Sequence, residues 1–372
     1  MSERSDKPFI GRNISVVRDL SIDEQLYLYD QTRKIKRAIL QGDNVDSFRS
    51  KDSDLGCYLV FLEDSTRTKE SFRNAAKFHG TKVNDFDVKS SSFAKKETLT
   101  DTIRMLYGYS ARSVFVVRSK LEGTCSWLHK VVSRYSELAG LPPASFINAG
   151  DGRHEHPTQE FLDEFSFLEQ LNWNNDSIHL ALVGDLFHGR TVHSKADGLK
   201  IFSSVQIDLI APRELQLPPY YYKKMLDSGY SIREFDSIDE YLSQDSLAPL
   251  WYFTRLQLER MGDKVRDKSE QLRHAVSVRP DHIPHIPASA KFFHPLPRHG
   301  TLPTIPHFLD STAFNGWDVQ SMNGYFTRIA LIGMVSGVLG MDFTGQSPVE
   351  LDFSGEFLSD VPVTSKHKPS FK

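Results

Sequence analysis

The stretch at 58–80, YLVFLEDSTRTKESFRNAAKFHG, constrains the fold more than any other part of this chain. It begins with a short apolar run whose length and composition predict a buried strand rather than a helix. From about Thr68 the apolar positions, beginning with Phe72, recur at helical spacing, and Gly80 is placed to end that helix. The stretch therefore predicts a strand, a short loop and a helix in succession.

The loop between them reads Ser-Thr-Arg-Thr at 65–68. It offers hydroxyls, a guanidinium and the free amides of a helix N-terminus, so it can bind an anion. Arg67 and Lys69 put positive charge in a helical turn where the helix dipole favours acidic residues, a conflict that a bound anion would resolve. The alternative is an ordinary capped helix whose basic residues face water, with Glu63 and Asp64 as their partners.

Strand-like and helix-like segments alternate along the chain. The predicted strands lie at 58–62, 82–88, 113–117, 145–149, 178–183, 205–210, 231–235, 249–253 and 290–293. This alternation predicts parallel sheets flanked by helices, and 372 residues are enough for two such domains. The predicted fold class is therefore α/β, with two doubly wound parallel-sheet domains and an active site in the cleft between them.

Nearly every predicted strand is followed by a basic or amide side chain. In open α/β sheets, ligands bind beyond the carboxyl ends of the strands, so we expect these side chains to meet. They are Arg67, Arg118, His156 with Gln159, Arg190 and Arg255. Each of them alone is a common residue in such a position, but together they predict a cleft that binds a substrate with several negative charges.

Composition argues against several classes of protein. The formal net charge of -3 gives no basic excess for nucleic acid. Cys57 and Cys125 are the only cysteines, which excludes a disulfide framework and predicts a reduced, cytoplasmic compartment. No segment has the apolar length of a signal peptide or a membrane span. His154 and His156 have no acidic or cysteine cluster beside them, so neither a metal nor a cofactor is predicted.

Other segments give predictions for the first helix, for a late helix and for the two terminal segments. Ser21 with Glu24 predicts a capping box at the start of the first helix. A helix at 320–339 is apolar on almost all sides, so we expect it to be buried between layers. Residues 1–14 predict a mobile arm, and a polar tail at 343–372 predicts a loosely held end.

The segment KSSSFAKKE at 89–97 carries Ser91, Ser92, Lys95 and Lys96. A serine-rich loop with two lysines is typical of solvated surface. The same composition also suits a loop that closes over an acidic ligand. Both interpretations stay open at this point.

Six longer motifs resemble those of the aspartate/ornithine transcarbamylase family, and within it the aspartate carbamoyltransferases, in the same order and at the same spacings. They are FLEDSTRTKESF, NAGDGRHEHPTQEFLDEF, VGDLFHGRTVHS, TRLQLER, FFHPLPR and NGYFTRIALI. The resemblance implies transfer of the carbamoyl group of carbamoyl phosphate to the amine of L-aspartate, a step of pyrimidine biosynthesis. It also implies a carbamoyl-phosphate-binding domain at 1–157, completed by the helix near 320–342, and an aspartate-binding domain at 158–319.

The same resemblance implies roles for individual residues. The implied carbamoyl phosphate contacts are Ser65, Thr66, Arg67, Thr68, Ser91, Ser92, Arg118, His156, Gln159, Pro295, Leu296 and Pro297. The implied aspartate contacts are Lys95, Lys96, Arg190, Arg255, Gln257 and Leu296. The implied catalytic residues are Arg67, Thr68, Lys95, Arg118 and His156. The resemblance implies a homotrimer with shared active sites, and leaves open a regulatory or dihydroorotase partner.

One segment departs from the family pattern. The family usually has Gly between the active-site Lys and the following Glu, whereas this chain reads Lys95-Lys96-Glu97. Either Lys95 is the equivalent and Lys96 replaces the Gly, or Lys96 is the equivalent and one residue is deleted. The first alignment needs no gap. Ser91 and Ser92 are likewise alternatives for one phosphate contact.

Two other functions compete with this interpretation. An ornithine or other amino-acid carbamoyltransferase would share the fold and the donor, but the ornithine enzymes carry a Cys in the motif where this chain reads His-Pro-Leu-Pro at 294–297. A non-catalytic member of the family would use the fold as a scaffold. The complete set of basic residues argues against that second alternative.

Overall fold

The protein is described by a computed structural model that covers residues 8–87, 98–152, 154–257, 268–301 and 303–348. Within these residues the chain forms two five-stranded sheets in which every strand pair is parallel. The predicted α/β class with two parallel sheets is confirmed.

The first sheet contains the strands before residue 152, in the order β1-β5-β4-β2-β3. They are β1 (Asn13–Ile14), β2 (Leu55–Phe61), β3 (Lys82–Asp87), β4 (Arg112–Ser119) and β5 (Ser145–Asp151). Alternate residues of β2 enter two different cores: Leu59 packs with Phe72 on one face, and Val60 packs with Phe115 and Leu128 on the other. Both faces of this sheet are therefore buried, as in a doubly wound fold.

The second sheet contains the later strands, in the order β10-β9-β6-β7-β8. They are β6 (Ser177–Val183), β7 (Ser204–Ile210), β8 (Ser231–Phe235), β9 (Leu250–Phe253) and β10 (Lys291–Phe293). The central strands β6 and β9 are apolar runs that are almost completely buried. This continuous burial explains why they read as uninterrupted hydrophobic segments rather than alternating ones.

Eleven α-helices accompany the strands within the described residues. They are α1 (Ile22–Gln41), α2 (Thr66–Phe78), α3 (Leu99–Tyr107), α4 (Thr124–Ala139), α5 (Pro157–Gln170), α6 (Arg190–His193), α7 (Lys195–Gly198), α8 (Pro219–Asp227), α9 (Ile238–Leu242), α10 (Ser269–Val276) and α11 (Trp317–Val335). The predicted capping box is confirmed, because the Ser21 hydroxyl accepts from the Glu24 amide and the Glu24 carboxylate accepts from the Ser21 amide. Among the described helices, none combines the length and hydropathy needed to cross a bilayer.

The strand order of each sheet reverses at one place. In the first sheet the chain moves outward in opposite directions from the β2–β4 pair, and in the second it does so from the β6–β9 pair. The loops that leave the carboxyl ends at such a reversal diverge, which opens a crevice where ligands bind. The topology alone therefore places a site beyond β2 and β4, and another beyond β6 and β9.

Two helices join the sheets. Helix α5 leads from β5 to β6, and α11 follows the second sheet but packs on α1, α2 and α5 of the first. The predicted buried helix at 320–339 is confirmed as α11. Its burial extends to several polar residues, which are Gln320, Asn323, Thr327 and Arg328.

The predicted mobile arm is wrong for residues 8–14. Phe9 is buried and its ring packs against Tyr27 and Phe343, and β1 pairs in register with β5. The predicted loose tail is also wrong for its first residues, since the Gln346 amide donates to Asp23 Oδ2 at 2.7 Å. A single aromatic cluster thus fixes both ends against α1. Residues 1–7 and 349–372 lie outside the described range.

Candidate active site

The carboxyl ends of the two sheets face one cleft with a cavity volume of ≈ 920 Å³. Its walls come from the end of β4 and from the loops after β2, β6 and β9, and these are the four strands at the two reversals of strand order. The start of α5, the loop after β10 and the first half of α11 complete it. The two crevices that the topology predicts are therefore parts of one site.

Every predicted site residue within the described ranges lines this cleft. These residues are Ser65, Thr66, Arg67, Thr68, Arg118, His156, Gln159, Arg190, Arg255, Gln257, Pro295, Leu296 and Pro297. The prediction that the strand-end bases converge is confirmed. Ser91, Ser92, Lys95 and Lys96 lie outside the described residues, so their position stays a prediction.

The loop after β2 turns directly into α2. Ser65 is the N-cap residue, yet its side chain makes no capping hydrogen bond, and the first turn contains no acidic residue. Lys69 pairs with Asp85 at 2.9 Å rather than with the acids of the loop. The interpretation of this loop as an ordinary side-chain cap is therefore wrong. Arg67 is exposed at its surface, and the partial burial of its guanidinium lowers its pKa.

Arg118 is an enclosed guanidinium on the first sheet's side of the cleft. It lies near the end of β4 with 7% of its surface exposed. Its Nη1 donates to the Ala149 carbonyl at 2.8 Å, and its Nη2 lies 3.2 Å from Glu63 Oε2. Burial, and then repulsion from Arg190, lowers the pKa of Arg118 to about 10. An anion in the cleft would relieve both effects.

Gly150 lets three functional side chains approach each other. An added Cβ there would lie 2.8 Å from Arg118 Nη1, 3.3 Å from His156 Cδ2 and 3.5 Å from Arg190 Cζ. The backbone φ of +113° at Gly150 is also one that side-chain-bearing residues rarely adopt. A glycine is therefore needed here for space and for backbone conformation, and it explains the NAGDG sequence before α5.

His156 is the N-cap residue of α5 and is 5% exposed. Burial, followed by the charges of Arg118 and Arg190, holds the pKa of His156 well below its ordinary value. The imidazole is therefore neutral at physiological pH. The Thr158 hydroxyl lies 3.4 Å from Nδ1, which leaves Nε2 to face other partners. A neutral imidazole with its proton on Nε2 donates a hydrogen bond rather than accepting a proton.

The second sheet supplies two adjoining loops. Arg190, the first residue of α6, reaches across to donate to the Gly152 carbonyl at 2.9 Å. Gln257 connects the loop after β9 to the loop after β6, because its amide donates to Asp185 Oδ2 at 3.1 Å and its Nε2 to the His188 carbonyl at 3.2 Å. Arg190 therefore ties one sheet's loops to the other's.

The loop after β10 lines the cleft with residues 295–297. The Leu296 amide donates to His294 Nδ1 at 2.8 Å, and Leu296 has φ of +49°, in the left-handed region that favours glycine. Burial, and then the charge of Arg298, lowers the pKa of His294 to about 3, so the ring stays a neutral acceptor for that amide. Pro295 and Pro297 contribute no amide hydrogen, so this turn is rich in acceptors.

Some cleft residues were not predicted. Helix α11 contributes Gln320, Tyr325 and Arg328, of which Arg328 Nη1 donates to Ser71 Oγ at 2.8 Å. Gln320, Gly324 and Arg328 recur every four residues, so they share one face of an otherwise apolar helix. Polar residues at that spacing in a buried helix were the signal that would have identified them.

One group of acidic and histidine side chains elsewhere has the spacing of metal ligands. It consists of Asp239, Asp281 and His282. Arg279 lies between the two carboxylates, with Nη2 2.6 Å from Asp239 Oδ1 and 3.0 Å from Asp281 Oδ2. The guanidinium already neutralises this group, and it lies outside the set of residues that line the cleft.

Comparisons with known proteins identify the family to which this chain belongs. The family model described as "Aspartate/ornithine carbamoyltransferase, carbamoyl-P binding domain" matches residues 12–169. Protein PyrBI of Treponema denticola is 52% identical over 97% of this chain and 68% of its own length. The aspartate carbamoyltransferase catalytic subunit of Methanosarcina barkeri is 32% identical over 89% of this chain and 99% of its own.

The solved structures agree. The crystal structure of aspartate transcarbamoylase from Trypanosoma cruzi in complex with carbamoyl phosphate matches with a TM-score of 0.75 and 28% identity, over 89% of this chain and 97% of that one. The two-sheet fold is that of a carbamoyltransferase. The chain belongs to the aspartate carbamoyltransferase family.

Proposed function

We propose that this chain transfers the carbamoyl group of carbamoyl phosphate to the amine of L-aspartate, giving N-carbamoyl-L-aspartate and phosphate. The observation that carries this proposal is the meeting of Arg118, His156 and Arg190 around Gly150, where loops of the two sheets adjoin. Two anionic substrates bound side by side would neutralise this concentration of positive charge. Their juxtaposition would supply the entropic advantage of an intramolecular reaction.

The donor is proposed to bind on the first sheet's side. The amides and hydroxyls at the start of α2, with Arg67 and Arg118, suit a phosphate, because a helix N-terminus favours an anion. The carbamoyl oxygen then lies toward Thr68, Arg118 and His156. The carbamoyl NH2 needs acceptors, and the carbonyls of the 295–297 turn together with Gln159 supply them.

The reaction is proposed to need no covalent enzyme intermediate. The deprotonated amine of aspartate attacks the carbamoyl carbon, and negative charge develops on the carbonyl oxygen. Arg118 and the neutral His156 are preorganised donors for that charge, and one such donor typically contributes about 3–4 kcal/mol. The carbon–oxygen bond to phosphate then breaks, and the departing phosphate accepts the proton that the amine loses.

The acceptor is proposed to bind on the second sheet's side. Arg190 and Arg255 would hold the two carboxylates of aspartate, since guanidinium groups bind carboxylates in bidentate geometry. Gln257 would hold the 254–257 loop beside them through its bonds to Asp185 and His188. The similar T. cruzi enzyme has been crystallised with carbamoyl phosphate and aspartate together, which supports this pairing.

The remaining parts of the proposal concern organisation. The division into a donor domain at 1–157 and an acceptor domain at 158–319 is supported by α11, which returns to the first sheet. A homotrimer would let Ser91 or Ser92 and Lys95 or Lys96 complete a neighbouring site. A cytoplasmic location is supported by the two unpaired, buried cysteines. A regulatory or dihydroorotase partner stays open.

A colorimetric ureido assay with each amino acid tests the function. We expect product from aspartate with carbamoyl phosphate, and none from ornithine. Product from ornithine but not from aspartate would overturn the choice of acceptor. No turnover of either amino acid by the purified oligomer at saturating carbamoyl phosphate would support the non-catalytic alternative instead.

A further inference from the structure

Asp163 lies behind the cleft, one helical turn after Gln159 on α5, and is fully buried. Its Oδ1 accepts hydrogen bonds from Gln159 Nε2 at 2.8 Å and from Gln320 Nε2 at 2.6 Å. Its Oδ2 accepts from Lys195 Nζ at 2.9 Å. Three donors from three helices therefore converge on one carboxylate.

This arrangement determines which way each glutamine amide points. An ionised carboxylate can only accept hydrogen bonds, whereas a glutamine amide has a donor end and an acceptor end. Both glutamines must turn their NH2 group toward Asp163. For Gln320 the other end gives an independent check, since its Oε1 accepts from the His294 amide at 2.8 Å.

The same logic leaves Gln159 with its carbonyl oxygen for the cleft. Gln159 and the acceptor-rich 295–297 turn both line the cleft. If the amide were reversed, its oxygen would oppose Asp163 and an NH2 group would face the substrate. Asp163 therefore determines which way the Gln159 amide is turned.

Lys195 keeps this carboxylate in the accepting form. Its ammonium group is fully buried, bonded to Glu160 at 2.5 Å as well as to Asp163, and lies 4.4 Å from the centroid of the Tyr252 ring. Desolvation opposes its charge, but the neighbouring carboxylates of Asp163 and Glu160 outweigh it and raise the pKa of Lys195. A lone buried carboxylate would take up a proton instead and could then donate to Gln159.

We propose that Asp163 is a positioning residue that sets the selectivity of the donor site for carbamoyl phosphate over acyl phosphates. Carbamoyl phosphate carries an NH2 group where acetyl phosphate carries a methyl group of similar size. The Gln159 carbonyl oxygen can pair with the first and is left unsatisfied by the second. This inference rests on the proposed function, because it assumes that the carbamoyl group lies beside Gln159.

The test is D163N, with E164Q as the matched control. E164Q makes the same acid-to-amide change at the next residue of α5, also fully buried, and does not touch Gln159. We expect D163N to weaken carbamoyl phosphate binding roughly tenfold, because Gln159 can now turn over, while acetyl phosphate inhibition changes less than about twofold. E164Q should keep the wild-type ratio of the two affinities.

A double-mutant cycle distinguishes a role of Asp163 in positioning Gln159 from a general loss of packing around the cleft. Q159A should lower the same ratio, and D163N added to Q159A should change it no further, since the two residues act as one unit. If D163N does not fold, K195M serves in its place: it removes one of the three donors that hold the Asp163 carboxylate and should lower the ratio too. Thermal midpoints of all variants identify loss of folding.

The inference is overturned if folded D163N or K195M retains the wild-type ratio, or if both ligands weaken equally. These results bear on Asp163 provided that the wild-type protein forms carbamoyl aspartate in the same assay. A wild-type protein that forms none would instead overturn the proposed function. The two failures are therefore distinguishable in one set of assays.

Discussion

The first two turns of α5 separate two buried groups of charge with opposite sign. On the cleft side lie the guanidinium groups of Arg118 and Arg328, beside the neutral imidazole of His156, and burial lowers the pKa of both arginines to about 10. On the other side lie Glu160 and Glu164 near Lys195. Burial raises the pKa of Glu160 to about 7 and holds that of Glu164 well above its ordinary value. In both groups, burial therefore disfavours the charged form of the side chains.

The two groups differ in what can relieve them. The cationic group faces an open cleft, so an anionic solute can enter and neutralise it. The carboxylates are sealed from solvent, and an added Cβ at Gly198 would collide with Oε1 of both Glu160 and Glu164. No solute can reach them, and their raised pKa favours a proton held between them instead. Surplus charge thus marks a binding site when it is accessible and a bound proton when it is not.

Removing the positive charge of Arg118 should cause the largest loss of activity among the changes proposed here. We expect R118M to lower kcat/KM by roughly a thousandfold, since a preorganised donor to the developing charge is lost. The measurement is carbamoyl aspartate formation at varied carbamoyl phosphate. R37M, which alters an exposed arginine of α1, is the control and should match the wild type. A folded R118M within about threefold of the wild type would refute the role of the cationic group.

Moving the Arg118 guanidinium without removing it should lower kcat/KM less. G150A places a methyl group against Arg118 and His156, so we expect kcat/KM to fall by roughly 10- to 100-fold. G229A is a matched control, because Gly229 has φ of +83° and nothing within 4 Å of its added Cβ. Both variants should lose about 1 kcal/mol to backbone strain. Equal kinetics for the two would show that crowding at Gly150 is unimportant.

The sealed carboxylates make a prediction about stability and pH. The folded pKa is raised for both carboxylates, to about 7 for Glu160 and well above the ordinary value for Glu164. Their contribution to the unfolding free energy is therefore present below the unfolded pKa and is lost as pH rises through the folded pKa. E164Q replaces the shared proton with an amide. It should therefore exceed the wild type in unfolding free energy at pH 8 by on the order of 1 kcal/mol, and by less at pH 5.

Thermal melts of both proteins across this pH range measure that difference. E137Q, at an exposed position of α4, should follow the wild-type curve. A constant difference between E164Q and wild type at all pH values would contradict a shared proton.

The shape of the pH profile should be the property that changes least, because His156 should not contribute to it. The pKa of His156 lies well below the ordinary value, so the imidazole is already neutral over the physiological range and does not titrate there. The pH profile of kcat/KM between pH 6 and 9 should have the same shape in the wild type and in H156N. An inflection near pH 6.5 that disappears in H156N would show that the imidazole acts as a base instead.

The part of the site that sequence could predict depends on a geometric rule. Parallel strands place their carboxyl ends on one edge, so bases at 67, 118, 190 and 255 had to lie near each other once the strands were recognised. The capping box at Ser21 and the buried α11 followed from local pattern in the same way. Such features need no knowledge of which residue contacts which.

The buried polar partners behind the cleft could not be predicted by such a rule. Asp163 and Gln320 are separated by 157 residues and meet only through the packing of α5 on α11. Two-residue β1 is too short for any periodicity, and its place depends on Phe9 packing against Phe343. The short helices α9 and α10 were missed for the same reason, since five and eight residues carry too little pattern.

The return of α11 to the first sheet bears on how the chain is made. A ribosome releases the five strands of the first sheet long before it reaches α11, which fills the groove between α1, α2 and α5. Until then that nascent half keeps an apolar groove open to water and chaperones. The first-sheet unit is therefore completed only after the second sheet and α11 have been translated, so the first half cannot finish packing before the second half has been made.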